Sequence, residues 1–121
     1  ILVVKPKISF STAAAFRKYD ENPVAEKSGF DEFCETVSAG KIPPLYNIFT
    51  VLHGETVIFK LIEKLVKLGA AAAGMSGSGS AVFGVFADEK SAVSAEKAFS
   101  DCFTATCFTT EKDKIISGIF L

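Results

Sequence analysis

From Gly74 to Gly84 the chain reads Gly-Met-Ser-Gly-Ser-Gly-Ser-Ala-Val-Phe-Gly, so that Gly77 and Gly79 alternate with Ser76, Ser78 and Ser80. Glycine loses more backbone freedom on folding than any other residue and buries no side chain, so its concentration in one connection calls for a local purpose. The chemistry these residue types offer is anion binding. Glycines let successive peptide N–H groups turn into one concavity, and the serine hydroxyls add donors beside it. No Gly-Lys-Ser/Thr follows, so the segment is not a Walker A loop, and its spacing is not that of a dinucleotide fingerprint. Taken alone, a Gly/Ser turn between strands is more often a flexible hairpin than a ligand site.

The flanking elements must position this loop. Ala70 to Met75 and Ala81 to Phe86 predict two strands joined by it as a hairpin. Upstream, the β-branched run at residues 1–5 predicts a strand closed by Pro6. Ser11 and Thr12 supply a capping hydroxyl for a helix reaching about Asp20 and stopped by Asn22-Pro23. Phe30, Phe33, Cys34 and Val37 stand at helical spacing before Gly40 and Pro43-Pro44, and Tyr46 to Leu52 predicts a further helix broken near Gly54. Val57, Ile58, Leu61, Ile62, Leu65 and Val66 form the clearest amphipathic stripe, ended by Gly69. Asp88 predicts the cap of a helix carrying Ala92, Ala95, Ala98 and Phe99, and Thr104 to Thr110 a last strand; the tail from Lys112 to Leu121 fits no single pattern. The order β, several helices, β, β, α, β is that of an α+β ferredoxin-like (split βαβ) fold, a four-stranded antiparallel sheet with helices on one face.

Length and composition allow one ordinary core in 121 residues, with 49% apolar residues, 12 Phe and no Trp. Thirteen basic against 14 acidic residues leave no global field for nucleic acid or an anionic membrane, and no apolar run approaches the ~20 residues of a membrane helix. Any anionic ligand must therefore be held by local geometry. Cys34, Cys102 and Cys107 form no CxxC pair and read as reduced structural thiols, which with the lack of an export signal predicts a cytoplasmic protein, or a plastid one in a plastid-bearing organism. His53, in Leu-His-Gly-Glu, has no partner at metal or triad spacing and is read as a surface or loop residue; Lys5 and Lys7 are read as solvated strand-end charges rather than phosphate ligands.

The string from Met75 to Gly84 resembles the third conserved motif of the GHMP kinases, a superfamily that includes galactokinase, homoserine kinase and mevalonate kinase. In that family the motif is a carboxy-terminal glycine-rich loop facing the active site. The segment from Val4 to Phe16 is similar to a Pro-x-x-x-x-x-Thr-x-x-x-aromatic stretch of the members that act on 4-diphosphocytidyl-2-C-methyl-D-erythritol, with Ala13 and Phe16 where many relatives have Pro and Tyr. The resemblance implies that Phe16 lies near the cytosine ring, with Thr12 beside it. An aromatic face stacks on a base, but Phe16 among Ala13, Ala14 and Ala15 also reads as core, and Thr12 as a helix cap. Asn47 resembles an Asn of the family's Asn-x-x-Glu segment, with Thr50 replacing the acid, and is taken as structural.

The implied function is an ATP- and Mg²⁺-dependent kinase that phosphorylates the 2-hydroxyl of a cytidine-diphosphate-linked methylerythritol in isoprenoid precursor synthesis. Phosphoryl transfer needs a Mg²⁺ carboxylate and a residue positioning the acceptor hydroxyl, and no segment here offers that set, so neither a catalytic residue nor a metal ligand is assigned. The chain starts abruptly on a strand without an initiator Met. Residues 1–121 are accordingly expected to be the carboxy-terminal domain, inactive alone, whose partner is the protein's own amino-terminal domain carrying the main nucleotide loop, the catalytic Asp and a Lys. The alternatives are another GHMP kinase, for homoserine or mevalonate, and a regulatory ferredoxin-like module that binds a small ligand without chemistry.

Overall fold

Period-two alternation sets the first strand: Leu2 and Val4 are buried while Lys5 is exposed, and the strand, β1 (Leu2–Lys5), stops where Pro6 would withdraw a ladder donor. The computed structural model describes residues 1–23, 29–43 and 45–109. In chain order β1 is followed by α1 (Thr12–Glu21), α2 (Phe30–Ser38), α3 (Ile48–His53), α4 (Thr56–Lys67), β2 (Ala72–Met75), β3 (Val82–Val85), α5 (Glu89–Glu96) and β4 (Phe103–Thr106). The four strands form one antiparallel sheet in the order β2-β3-β1-β4, which is the split βαβ arrangement.

Register explains which side is covered. Leu2 pairs with Gly84 and Val4 with Val82, while Met75 also pairs with Val82; residues paired across strands share a face, so these side chains line up on one side. Against that side α4 packs on β2 and β3, and α5 on β1 and β4. Ile58 and Leu65 of α4 and Ala92 and Ala95 of α5 join Leu2, Val4, Met75, Val82 and Phe99 in one core. The α4 stripe is as the spacing predicts, and the helix ends with Gly69 at φ +98, where Gly69 and Ala70 donate to the carbonyls of Val66 and Leu65. Thr104 and Thr106 face the same side, opposite Val4 and Leu2. Their hydroxyls donate to the two oxygens of Glu96 at 2.7 and 3.2 Å, which satisfies polar groups brought under α5.

Several boundaries differ from the sequence expectation. The last strand ends at Thr106 rather than Thr110, because its neighbour β1 runs out: the final pairing is Cys107 N–H to the Ile1 carbonyl. The third helix starts at Ile48 because Asn47 is extended and accepts the Phe49 N–H at its Oδ1. Ala98 and Phe99 lie past the end of α5 in tight turns, although Phe99 is still buried. Pro44 and the tail from Lys112 to Leu121 lie outside the described residues. Among the described residues no helix is long and apolar enough to cross a membrane.

Asp88 caps α5, accepting at its carboxylate from the Ser91 N–H at 2.8 Å and the Ser91 hydroxyl at 3.1 Å. Those bonds, the backbone one foremost, hold its pKa below the ordinary aspartate range. A depressed folded pKa contributes stability above the unfolded value and loses it as pH falls through the folded one. Titrating the chain below about pH 4 should therefore fray α5, and Asp88→Asn, which keeps an acceptor but cannot ionise, should remove that share of the acid dependence when unfolding is followed by circular dichroism.

Candidate functional site

The glycine-rich connection between β2 and β3 is a tightly tied turn. The Ser76 N–H donates to the Ala81 carbonyl at 2.8 Å and the Gly79 N–H to the Ser76 carbonyl at 3.0 Å. Gly77 and Gly79 have φ of +54 and +86, a region other residues enter only under strain. Gly79 is required twice over, since a Cβ there would lie 2.7 Å from both Met75 Sδ and Phe10 Cδ2, whereas one on Gly77 would meet nothing within 4 Å.

Three side chains from elsewhere in the chain hold the turn. Asn47 donates from Nδ2 to the carbonyls of Met75 and Gly77, each at 2.8 Å. His53 Nε2 lies 2.9 Å from the Ser78 carbonyl, and a carbonyl only accepts, so this nitrogen carries the proton. Thr12 and Ser78 share a hydroxyl–hydroxyl bond of 2.9 Å. Phe10 completes the support, its ring stacked on His53 with centroids 4.0 Å apart.

These bonds decide which amides face outward. A peptide is planar, so fixing a carbonyl aims the next residue's N–H the opposite way. With the Ser76 carbonyl taken by Gly79 and the Gly77 carbonyl by Asn47, the N–H groups of Gly77 and Ser78 point away from the groups that hold those carbonyls. Neither has a partner among the described residues. Two adjacent outward amides beside the Ser76 and Ser78 hydroxyls make a concave donor set of the kind that receives phosphate oxygens. Among the described residues no charged side chain takes part in holding it.

The sequence-predicted residues divide. Ser76, Gly77, Ser78 and Gly79 are together in the turn, as is Ser80, but Ser80 corrects the expectation of a ligand-facing hydroxyl: it is 2% exposed and donates to the Ile8 carbonyl at 2.6 Å. That bond pins the loop to the segment after β1. Thr12 is not the cap of α1; Ser11 is, accepting from the Ala14 N–H, which leaves the Thr12 hydroxyl to Ser78. Phe16, one helical turn on from Thr12, is not core. It is 53% exposed and held edge-on by Phe49 of α3, with centroids 4.9 Å apart. The reading of His53 as a surface or loop residue also changes, since it is half-buried at the end of α3 and reaches the turn. Phe10 and Phe49 carried no recognisable signal, and Asn47 signalled as the residue before an apolar helix and through its resemblance to a family Asn, which reads as structural.

A cavity of about 320 Å³ opens beside β2, lined by Tyr46, Asn47, Phe59, Gly74 and Phe83 among others; residues 76–80 do not line it. Ser76 and Gly77 are exposed and Ser78 is half-buried, so the donor set lies on the surface. Among the described residues no group of three His, Cys, Asp or Glu could hold a metal ion. Replacing Thr12 with Val keeps the shape and removes the hydroxyl; the loss should be below about 1 kcal/mol, as for one exposed hydrogen bond, with amide shifts confined to Ser78 and the start of α1 in a ¹H–¹⁵N NMR spectrum.

Comparison with known proteins adds an independent line. Residues 55–105 match the family model described as GHMP kinases C terminal, a stretch from α4 into β4 that includes the turn and excludes Thr12 and Phe16. The 4-diphosphocytidyl-2-C-methyl-D-erythritol kinase of Chloroherpeton thalassium is 34% identical over 105 residues, covering 81% of this chain and 36% of that protein. The kinase of the same name from Acetivibrio thermocellus is 32% identical over 117 residues, 92% of this chain and 41% of that protein. A crystal structure of 4-(cytidine 5'-diphospho)-2C-methyl-D-erythritol kinase superposes with a TM-score of 0.64 at 21% identity, covering 85% of this chain and 40% of that one, a likeness of fold. The chain spans about two fifths of the length of these curated relatives.

Proposed function

Because the chain belongs to the GHMP kinases, carrying their carboxy-terminal domain, we propose that it forms one wall of the cleft in an enzyme that transfers phosphate from ATP to the 2-hydroxyl of 4-diphosphocytidyl-2-C-methyl-D-erythritol. The observation that carries the proposal is the pair of outward amides on Gly77 and Ser78, tied through Thr12 to the helix that presents Phe16. One ligand end is a phosphate and the other a flat base, and the two features answer those ends.

In this reading Gly77 and Ser78 donate to oxygens of the transferring phosphoryl group, where negative charge is spread over three oxygens in the transition state. Dipoles already fixed by Asn47, His53 and Ser80 need no reorganisation as that charge moves, which is the condition for electrostatic stabilisation. The Ser76 hydroxyl adds a donor at the rim. Phe16 stacks on the cytosine, held at a constant angle by Phe49, and contributes roughly 1–3 kcal/mol as base stacking does in single-strand binding proteins. Mg²⁺ on ATP neutralises phosphate charge when bound; the described residues offer no carboxylate cluster for it, so this wall acts through backbone dipoles. The main nucleotide loop, the catalytic Asp and its supporting Lys belong, on this proposal, to an amino-terminal domain, and residues 1–121 form a single domain that does not catalyse alone.

The test uses the full-length gene product with ATP–Mg²⁺ and a panel of 4-diphosphocytidyl-2-C-methyl-D-erythritol, homoserine and mevalonate. Phosphorylation of the first at its 2-hydroxyl, seen by ³¹P NMR, is the predicted outcome. Turnover of homoserine or mevalonate instead would reassign the substrate, and ATP-independent ligand binding without turnover would favour a regulatory module.

A further inference from the structure

The Ser78–Gly79 peptide is gripped on both sides. Its carbonyl accepts from His53 Nε2 at 2.9 Å, and by planarity its N–H points the other way, where it closes the turn onto the Ser76 carbonyl at 3.0 Å. The Ser76 carbonyl belongs to the peptide that aims the Gly77 amide outward. A donor 25 residues upstream of Ser78 thus sets, through two peptides, the direction of a ligand-facing N–H. The ring of His53 has a second contact, stacked at 4.0 Å and 27° on Phe10, and Phe10 is the ring that leaves no room for a Cβ on Gly79.

We infer that His53 is a positioning residue for the phosphate-receiving turn, acting through the Ser78 carbonyl to keep the Gly77 and Ser78 amides aimed at the ligand. The inference rests on the phosphate reading above for its consequence, and on the Nε2 donor alone for its cause. Phe and Gln separate the parts of the imidazole. His53→Phe keeps a ring to stack on Phe10 and removes the donor; His53→Gln places an amide N–H near the Nε2 position and removes the ring.

The experiment takes the 121-residue chain and its two variants, measuring hydrogen exchange of the Gly79 amide and the ATP–Mg²⁺ titration of the Gly77 and Ser78 amide shifts. Unchanged Val4 and Val82 amides report an intact fold. His53→Phe should speed Gly79 exchange about tenfold and weaken ATP binding by about three- to tenfold, while His53→Gln stays within about twofold of the parent in both, the range expected for one net hydrogen bond. Parent-like behaviour of His53→Phe overturns the inference, and with damage in His53→Gln alone it assigns the effect to stacking; equal damage in both variants overturns it too, because the Nε2 donor would then not act by itself. If the parent chain shows no ATP-dependent shift, the phosphate reading falls separately and Gly79 exchange still decides the role of His53: faster in His53→Phe alone upholds it, unchanged overturns it.

Discussion

Gly79→Ala should destabilise the chain by about 2–5 kcal/mol, the sum of overpacking at roughly 1–3 and a left-handed backbone at roughly 1–2, and should abolish the ordered turn. A methyl there would lie 2.7 Å from Met75 Sδ and from Phe10 Cδ2. Neither neighbour moves freely: Met75 is buried in the core and Phe10 is stacked on His53. Domains of this size have only about 5–15 kcal/mol in total, so the loss should lower the urea midpoint sharply without changing the slope. Gly77→Ala is the matched control. Its φ of +54 brings similar strain, but the added carbon meets nothing within 4 Å, so it should cost only the backbone share, about 1–2 kcal/mol. Equal losses in the two variants would mean that Phe10 and Met75 do not define the turn.

Asn47→Ala should come next in size, at about 2–4 kcal/mol, because one side chain makes three bonds: two donated to the Met75 and Gly77 carbonyls and one accepted from Phe49 N–H. A lost cap costs typically ~1 kcal/mol, and each lost bond about 0.5–1.5. The consequence for the site is directional, since releasing the Gly77 carbonyl releases the Ser78 amide. Asn47→Asp distinguishes the jobs. It keeps the cap acceptor for α3 but turns a carboxylate toward two carbonyls, so α3 should persist while Ser78 and Gly79 amides exchange rapidly. Loss of α3 with an unchanged turn would reverse the assignment.

The local patterns were legible because they depend on neighbours in sequence. Alternation at Leu2 and Val4, the stripe through Ile58 and Leu65, the Gly69 stop and the Asp88 cap all act within a few residues, and the split βαβ order follows from them. The turn from Ser76 to Ser80 was legible as a peculiarity of composition. Its supports were not. His53 and Asn47 lie 25 and 30 residues from their furthest partners in the turn, and Ser80 lies 72 from Ile8, separations at which no periodicity links donor to acceptor. Ser11 and Thr12 illustrate a finer limit: adjacent hydroxyls qualify equally as a cap, and only the backbone angle at Ser11 frees Thr12 for Ser78. Phe16 read as core from its alanine neighbours and as a stacking ring only through the family resemblance; it is 53% exposed, with Phe49 edge-on against it.

The most direct test of the central claim is an NMR titration of the chain with ATP–Mg²⁺ and, separately, with 4-diphosphocytidyl-2-C-methyl-D-erythritol, following the amides of Gly77, Ser78 and Phe16. The account predicts that the nucleotide moves Gly77 and Ser78 and that the cytidine compound moves Phe16, each saturably. No shift at either place with millimolar ligand would contradict it.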